Sequence, residues 1–467
     1  MQEGSPNVYW KKNRQLTEGK QIMDAIGSTW RGIEPIERET IKRVTWRLLP
    51  LLMVGYLANY LDRVNVGMGA LTMTKDLGFS NAMFGFGAGL FFVGYCLCEL
   101  PSNLILNAVG ARRWIARIMV SWGLIAGLTA FVWNDWSFYA IRFLLGVSEA
   151  GLFPGVILYL TWWYPSYYRT RMIAMFYSAS IFSMIIGPPI SGLLLQMDGA
   201  LGLHGWQWMF LIEALPSIIM SMVIWQLLTD RPAEATWLSP EQRTWLTERL
   251  ASERAQREAI RKFSLGETFC NWKIWVLALA AFAQNQASYG VLIFLPLIVK
   301  GLGVSSSWWI GVISALPYLF AFVAMNYWGW HSDRSGERIW HLIGGYLLCG
   351  AGLTACVIIG IGHPVLTMIA LICAIVGSQS AGPIFWALPT ALLTGAAAAG
   401  GIGLINSISN LGGFVGPWVF GLVKDATGSD NIALLCLALL PFLAIILFLV
   451  VGHDSRLERT PRSAGSR

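Results

Sequence analysis

Apolar runs of about 20 residues recur along the whole chain, separated by short polar segments. At about 1.5 Å per helical residue, each is long enough to cross a hydrocarbon core about 30 Å thick. The pattern predicts twelve membrane-spanning helices over roughly 46–69, 83–107, 114–133, 137–160, 172–197, 207–228, 273–299, 307–330, 340–361, 365–392, 401–423 and 431–452. One long polar stretch, 229–271, splits them six and six. Within it, Ser239-Pro240-Glu241-Gln242 reads as a capping box with proline at the first helical position. A charged helix through Glu248, Arg249, Glu253 and Arg254 should follow, with Trp245, Leu246 and Leu250 resting on the bundle. The predicted fold is all-α and polytopic. It comprises a tail (1–43), a six-helix bundle (44–228), a linker with an amphipathic helix (229–271), a second six-helix bundle (272–452) and a tail (453–467) that reads as disordered from Arg456 on.

Composition supports that reading and excludes a soluble one. Hydrophobic residues are 55% and charged residues 13% of 467, where a soluble domain carries about 25% charged. The first 43 residues are polar and hold no apolar leader, so they are expected to form a cytoplasmic tail. With the N-terminus inside, all but five of the 33 lysines and arginines fall in cytoplasmic segments; the exceptions are Arg63, Lys75, Arg142, Lys300 and Lys424. Positive charge marks the cytoplasmic side, so both termini and the linker are expected there. The net charge of +7 is thereby explained as topology, without nucleic acid. Seven cysteines and five histidines show no ligand spacing, which predicts no metal and no cofactor.

The candidate chemistry lies inside the spans. Asn59-Tyr60-Leu61-Asp62-Arg63-Val64-Asn65 places an acid, a base and two amides in the first apolar run. A charged residue at mid-membrane depth costs about 2.5–3.5 kcal/mol on insertion scales, so such residues usually line an interior. In the fourth span Arg142 and Glu149 are seven apart, which puts them on one helix face two turns apart. Glu99 and Glu213 fall nearer span ends. From Ile274 on, the C-terminal spans hold no lysine, arginine, aspartate or glutamate and offer neutral groups instead: Gln284, Asn285, Tyr289, Gln379, Ser380, Trp386, Asn406 and Asn410. Charge handling thus belongs to the N-terminal half, and hydrogen bonding and shape to the other. Arg142 or Arg63 would hold a carboxylate with its planar donor fork, and Asp62 and Glu149 would take protons. A permanent arginine–glutamate clamp between the first and fourth spans is the bland alternative. Trp386, alone among tryptophans that otherwise favour span ends, suits either stacking on a substrate or packing.

A repeat relates the halves. Gly329-x-x-x-Asp333-Arg334-x-Gly336-x-Arg338 follows the eighth span, and Asn103-x-x-x-Asn107-Ala108-x-Gly110-x-Arg112-Arg113 follows the second. Such a loop needs a glycine for the turn, an acid for a helix N-terminus and arginines for the cytoplasmic face. Gly187-Pro188-Pro189 and Gly412-Gly413-x-x-Gly416-Pro417 also occupy equivalent places, where they allow kinks and close helix contact. The Gly329–Arg338 motif resembles the signature loop of the major facilitator superfamily, over essentially 44–452. The first copy departs from it at Asn107 and Ala108. That resemblance implies two bundles around a central cavity that work by alternating access, with Gly329, Asp333, Arg334, Gly336, Arg338, Arg112 and Arg113 as gating residues.

Asn59-Tyr60-x-Asp62-Arg63-x-Asn65, Gly94-Tyr95 with Leu100-Pro101, and Arg142-(six)-Glu149-Ala150 resemble the anion:cation symporters. That family includes tartrate, galactonate, phthalate and hydroxyphenylacetate permeases, sialin and the vesicular glutamate transporters. Arg43-Val-Thr-Trp-Arg-Leu-Leu-Pro50 is most similar to its tartrate branch. The resemblance implies that Asp62 and Glu149 couple protons, Arg142 and Tyr95 anchor substrate, Arg63 pairs an acid, and Trp386, Asn406 and Asn410 contact it from the other half. Where the galactonate-type pattern has a glutamine in span 5, this chain has Tyr177, Ser178 and Ser180. The expected protein is a monomeric, proton-coupled importer of a small organic anion in the bacterial inner membrane. The rivals are an anion exchanger on the same fold, a membrane-embedded enzyme, for which no nucleophile–base pair is present, and a nutrient sensor.

Overall fold

The computed structural model describes residues 35–258, 270–360, 362–392 and 395–451; the expected disorder of the last residues, and most of the N-terminal tail, lie outside them. The described chain is helical. The N-terminal half comprises α1 (Pro35–Asp76), α2 (Asn81–Val109), α3 (Ala111–Leu128), α4 (Asp135–Glu149), α5 (Leu152–Trp163), α6 (Ser166–Leu194) and α7 (Gly205–Leu227). After α8 (Pro240–Glu258), the C-terminal half comprises α9 (Trp272–Gly301), α10 (Ser307–Ser335), α11 (Ile339–Ile359), α12 (Pro364–Leu392), α13 (Gly395–Thr427) and α14 (Asp430–Val451). With α4 and α5 counted as one crossing, ten of these segments are long and apolar enough to span a membrane. The long helices α1 and α13, packed in the same bundles, complete twelve.

Packing repeats between the halves. In the first, α1 lies against α6 and α7, α3 against α7, and α2 against α4. In the second, α9 lies against α13 and α14, α11 against α14, and α10 against α12. The halves meet through α2 with α13, α6 with α10, and α1 with α9. Glycines permit that approach. A Cβ at Gly85 would run into the Pro417 carbonyl, and one at Gly311 into the Pro188 carbonyl, so equivalent glycine–proline contacts close both seams. These lie at the end of the molecule opposite α8. There Asp425 accepts from the Asn81 side chain (2.7 Å) and the Ala82 backbone N–H (2.7 Å), and Lys300 Nζ donates to the Leu71 carbonyl (3.0 Å).

Three expectations need correction. First, α1 starts at Pro35, within what charge alone assigns to the tail, because Ile41 and Val44 are buried and Arg43 donates to Gln242 of α8 (3.1 Å). Second, the fourth span is two helices. Gly151 adopts φ +89°, where only glycine is at ease, and a Cβ there would meet Ser102 of α2. The break falls directly after Glu149. Third, the glycine-and-arginine motif is mostly helix rather than loop: Gly329, Asp333 and Arg334 belong to α10, and only Gly336, at φ +71°, makes the turn.

On α8, Ser239 Oγ accepts from the Gln242 backbone (3.2 Å) and Gln242 Oε1 from the Ser239 backbone (3.3 Å). Leu246 is fully buried, with Trp245 and Leu250 packed beside it.

Candidate functional site

One turn of α1 sorts its charges to different sides. Successive helical residues diverge by about 100°, so Asp62 and Arg63, adjacent in sequence, face different neighbours. Arg63 turns toward α4 and α2. Its Nε donates to Glu149 Oε1 at 2.7 Å, and its Nη2 bonds the same oxygen. The guanidinium carbon lies 5.0 Å from the Tyr60 ring centroid, 5.1 Å from Phe91 and 5.3 Å from Tyr95. Desolvated aromatic faces hold a cation well, so Arg63 keeps its place in an apolar surround. Tyr289 reaches in from the other half, its ring edge-on to Phe92 at 4.4 Å.

Arg142 lies over the same Phe91 ring, and the two arginines and Glu149 make up the site's charged centre. Arg142 is 3% exposed, with its guanidinium carbon 5.3 Å from the Phe91 centroid. Its one hydrogen bond among the described contacts is long, from Nη2 to the Ala88 carbonyl at 3.4 Å, and its Nε has no acceptor. Glu149 Oε2 likewise has no donor. The charged centre therefore holds a paired arginine and an under-satisfied one, side by side over Phe91. A planar donor with unused N–H groups suits a carboxylate.

Asp62 turns the other way, into the N-terminal bundle. It accepts from Trp122 Nε1 (2.6 Å), Ser217 Oγ (3.3 Å) and Asn65 Nδ2 (3.3 Å). Nearby Glu213 Oε1 accepts from Ser191 Oγ at 2.7 Å. Sequence reasoning placed Glu213 toward a span end; α7 instead buries it at 2% exposure.

The C-terminal candidates divide. Asn406 Nδ2 donates to Glu99 Oε1 at 2.7 Å, bridging the halves on the α8 side of the charged centre. Asn285 bonds Ser409 (2.6 Å) within its own half, and Ser380 is buried with its hydroxyl unpartnered. Trp386 packs on Phe385 beside a separate apolar core of the C-terminal half. Asn410 is half-buried on α13. Gln284 bonds Ser378 (2.7 Å) and Ser288 (3.1 Å), two residues that with Gln379 and Tyr318 line a cavity of about 30 Å³.

At the α8 end, Arg338 Nη1 donates to the Ala387 carbonyl of α12 (3.2 Å), and Arg334 lies over Trp330. The Asp333 side chain lies outside the described residues. In the first repeat, Asp230, from beyond α7, accepts from the backbone N–H of Arg112 at the start of α3 (2.7 Å). Arg113 is exposed.

The family model described as Major Facilitator Superfamily matches residues 52–417. The chain belongs to that superfamily. Its members are transporters rather than enzymes, which agrees with charged side chains buried inside the helical bundle. The chain is 47% identical over 420 residues to an Agrobacterium vitis protein named "Putative tartrate transporter", covering 90% of this chain and 93% of that one. It is 43% identical over 410 residues to the Pseudomonas putida "Putative metabolite transport protein NicT", covering 87% and 93%. Among solved superfamily folds, a bacterial homologue of the human lysosomal transporter Spinster, inward-facing and unoccupied, superposes with a TM-score of 0.73. That match covers 92% of this chain and 100% of the other at 16% identity, a likeness of fold alone.

Proposed function

We propose that this transporter is a proton-coupled symporter that imports a small organic anion, such as a sugar acid, a hydroxy-dicarboxylate like tartrate or an aromatic carboxylate. The observation that carries the reading is the pairing of Arg63 with Glu149 next to the under-satisfied Arg142. Arg142, over the Phe91 ring, receives the carboxylate, with Tyr95 beside the neighbouring Arg63. A proton on Glu149 weakens its hold on Arg63, which then turns a second donor fork to the anion, so proton and anion travel together. The names of the bacterial relatives support the substrate class, and the distribution of lysine and arginine supports an inner-membrane protein with α8 and both termini cytoplasmic. In that orientation the tight glycine–proline seams and the Asp425 contacts close the outer end, and substrate leaves past Glu99 and Asn406.

Uptake of radiolabelled tartrate, galactonate and phthalate into proteoliposomes tests the reading. Accumulation of one of them driven by an inward proton gradient supports it. Accumulation that ignores the gradient and requires an internal anion would make the protein an exchanger.

A further inference from the structure

Behind the Arg63–Glu149 pair, the N-terminal bundle holds Asp62 and Glu213, each 2% exposed. Among the described residues neither forms an ion pair. Asn65, 1% exposed, donates from Nδ2 to Asp62 Oδ1 at 3.3 Å, and Ser217, whose hydroxyl donates to Asp62 Oδ2 at 3.3 Å, lies one helical turn from Glu213 on α7.

Donors are shared unequally in this group. Asp62 receives Asn65 on one oxygen and both Trp122 and Ser217 on the other. Glu213 receives Ser191 on Oε1, while its Oε2 has no donor. Ionised Glu213 would leave a buried carboxylate oxygen with neither a donor nor a cation to offset its charge. One proton on Glu213 Oε2 removes that charge and turns the oxygen into a donor. The surrounding charges agree. Arg142 and Glu149 of α4 act on Asp62, with Glu149 already matched by Arg63, whereas the carboxylate acting on Glu213 is Asp62. From α3 and α6 come Trp122 and Ser191, neither of which titrates.

We infer that Glu213 and Asp62 form one proton-holding unit, with a resident proton on Glu213 Oε2 and with Asp62 as the member that exchanges. Holding Glu213 neutral removes a like charge from Asp62 and leaves one acid of the unit, not two, to take up the coupling proton. That consequence rests on the symport reading; the resident proton does not.

Infrared difference spectroscopy of the full-length protein in lipid nanodiscs at neutral pH tests the assignment. Subtracting Glu213→Gln from wild type should reveal loss of the carbonyl band of a protonated carboxylic acid. Loss of an ionised-carboxylate band instead would overturn it. Asp62→Asn gives an independent check, since it should lose a carboxylate band and keep the protonated one. Disappearance of the protonated band in Asp62→Asn would put the proton on Asp62 and also overturn the proposal. The spectra read the resting protein without substrate or gradient, so failure of symport in vesicles and failure of this assignment are separate results.

Discussion

Arg63 donates from both Nε and Nη2 to a single oxygen of Glu149, Oε1, and leaves Oε2 buried without a donor. The pair is thus strong on one atom and open on the other. Removing one partner strands a buried charge, a loss of about 3–5 kcal/mol, whereas removing both is nearly neutral. Arg63→Leu should therefore lower the melting temperature in detergent more than the double variant Arg63→Leu/Glu149→Leu does. A double variant no more stable than the single would mean the two charges do not compensate each other.

Arg142 has N–H capacity that the protein leaves unused. A hydrogen bond to a charged partner contributes about 1.5–3 kcal/mol, roughly 10–100-fold in affinity. Arg142→Lys keeps the charge and loses the planar fork. It should weaken binding of the transported anion by that factor in calorimetry while the melting temperature without ligand changes little. Unchanged affinity would remove Arg142 from the anchor role.

Asp425, in the last turn of α13 beyond the apolar span, faces the N-terminus of α2. Burial pushes its carboxyl up, but the N–H groups of Ala82 and Asn81 outweigh that and hold it below the usual carboxylate range. A group depressed in the contact contributes fully above its free value and loses that contribution as pH falls through the depressed one. Spin labels across this seam should show constant closure at neutral pH and separation only below about pH 4. Asp425→Ala should separate them at neutral pH, by about 1 kcal/mol or less because the site is exposed.

Gly146 of α4 packs so closely on α2 that a Cβ would overlap the Phe91 carbonyl. Phe91 is the ring beneath both arginines. Gly146→Val should destabilise by about 1–3 kcal/mol through overpacking and displace the charged centre, lowering both the melting temperature and anion affinity. A Gly146→Val protein with wild-type affinity would separate the helix contact from the site.

The spans, their six-and-six division and the capping box at Ser239 were legible because they depend on local composition and periodicity. Which charges pair was legible only as one alternative among several. An arginine–glutamate clamp between the first and fourth spans can only be Arg63 with Glu149, and that is the pair observed, but adjacency favours Asp62 with Arg63, and a shared helix face Arg142 with Glu149. That choice depends on how α1 and α4 are rotated against each other, which tertiary packing decides. The break after Glu149 had a local sign, Ala150-Gly151, but glycine is common within membrane helices and does not by itself mark one. Glu213 was missed as part of the interior because an apolar run has no sharp edge, and its partner Ser191 comes from another helix.

The most direct test of the coupling role assigned to Glu149 is uptake by Glu149→Gln in proteoliposomes, beside wild type, with the anion that wild type accumulates. The account predicts loss of accumulation driven by an inward proton gradient, with counterflow exchange of labelled for unlabelled anion retained, because the variant mimics the protonated acid and still cycles loaded. Gradient-driven accumulation by Glu149→Gln at the wild-type level would contradict it and return the Arg63–Glu149 pair to a structural clamp.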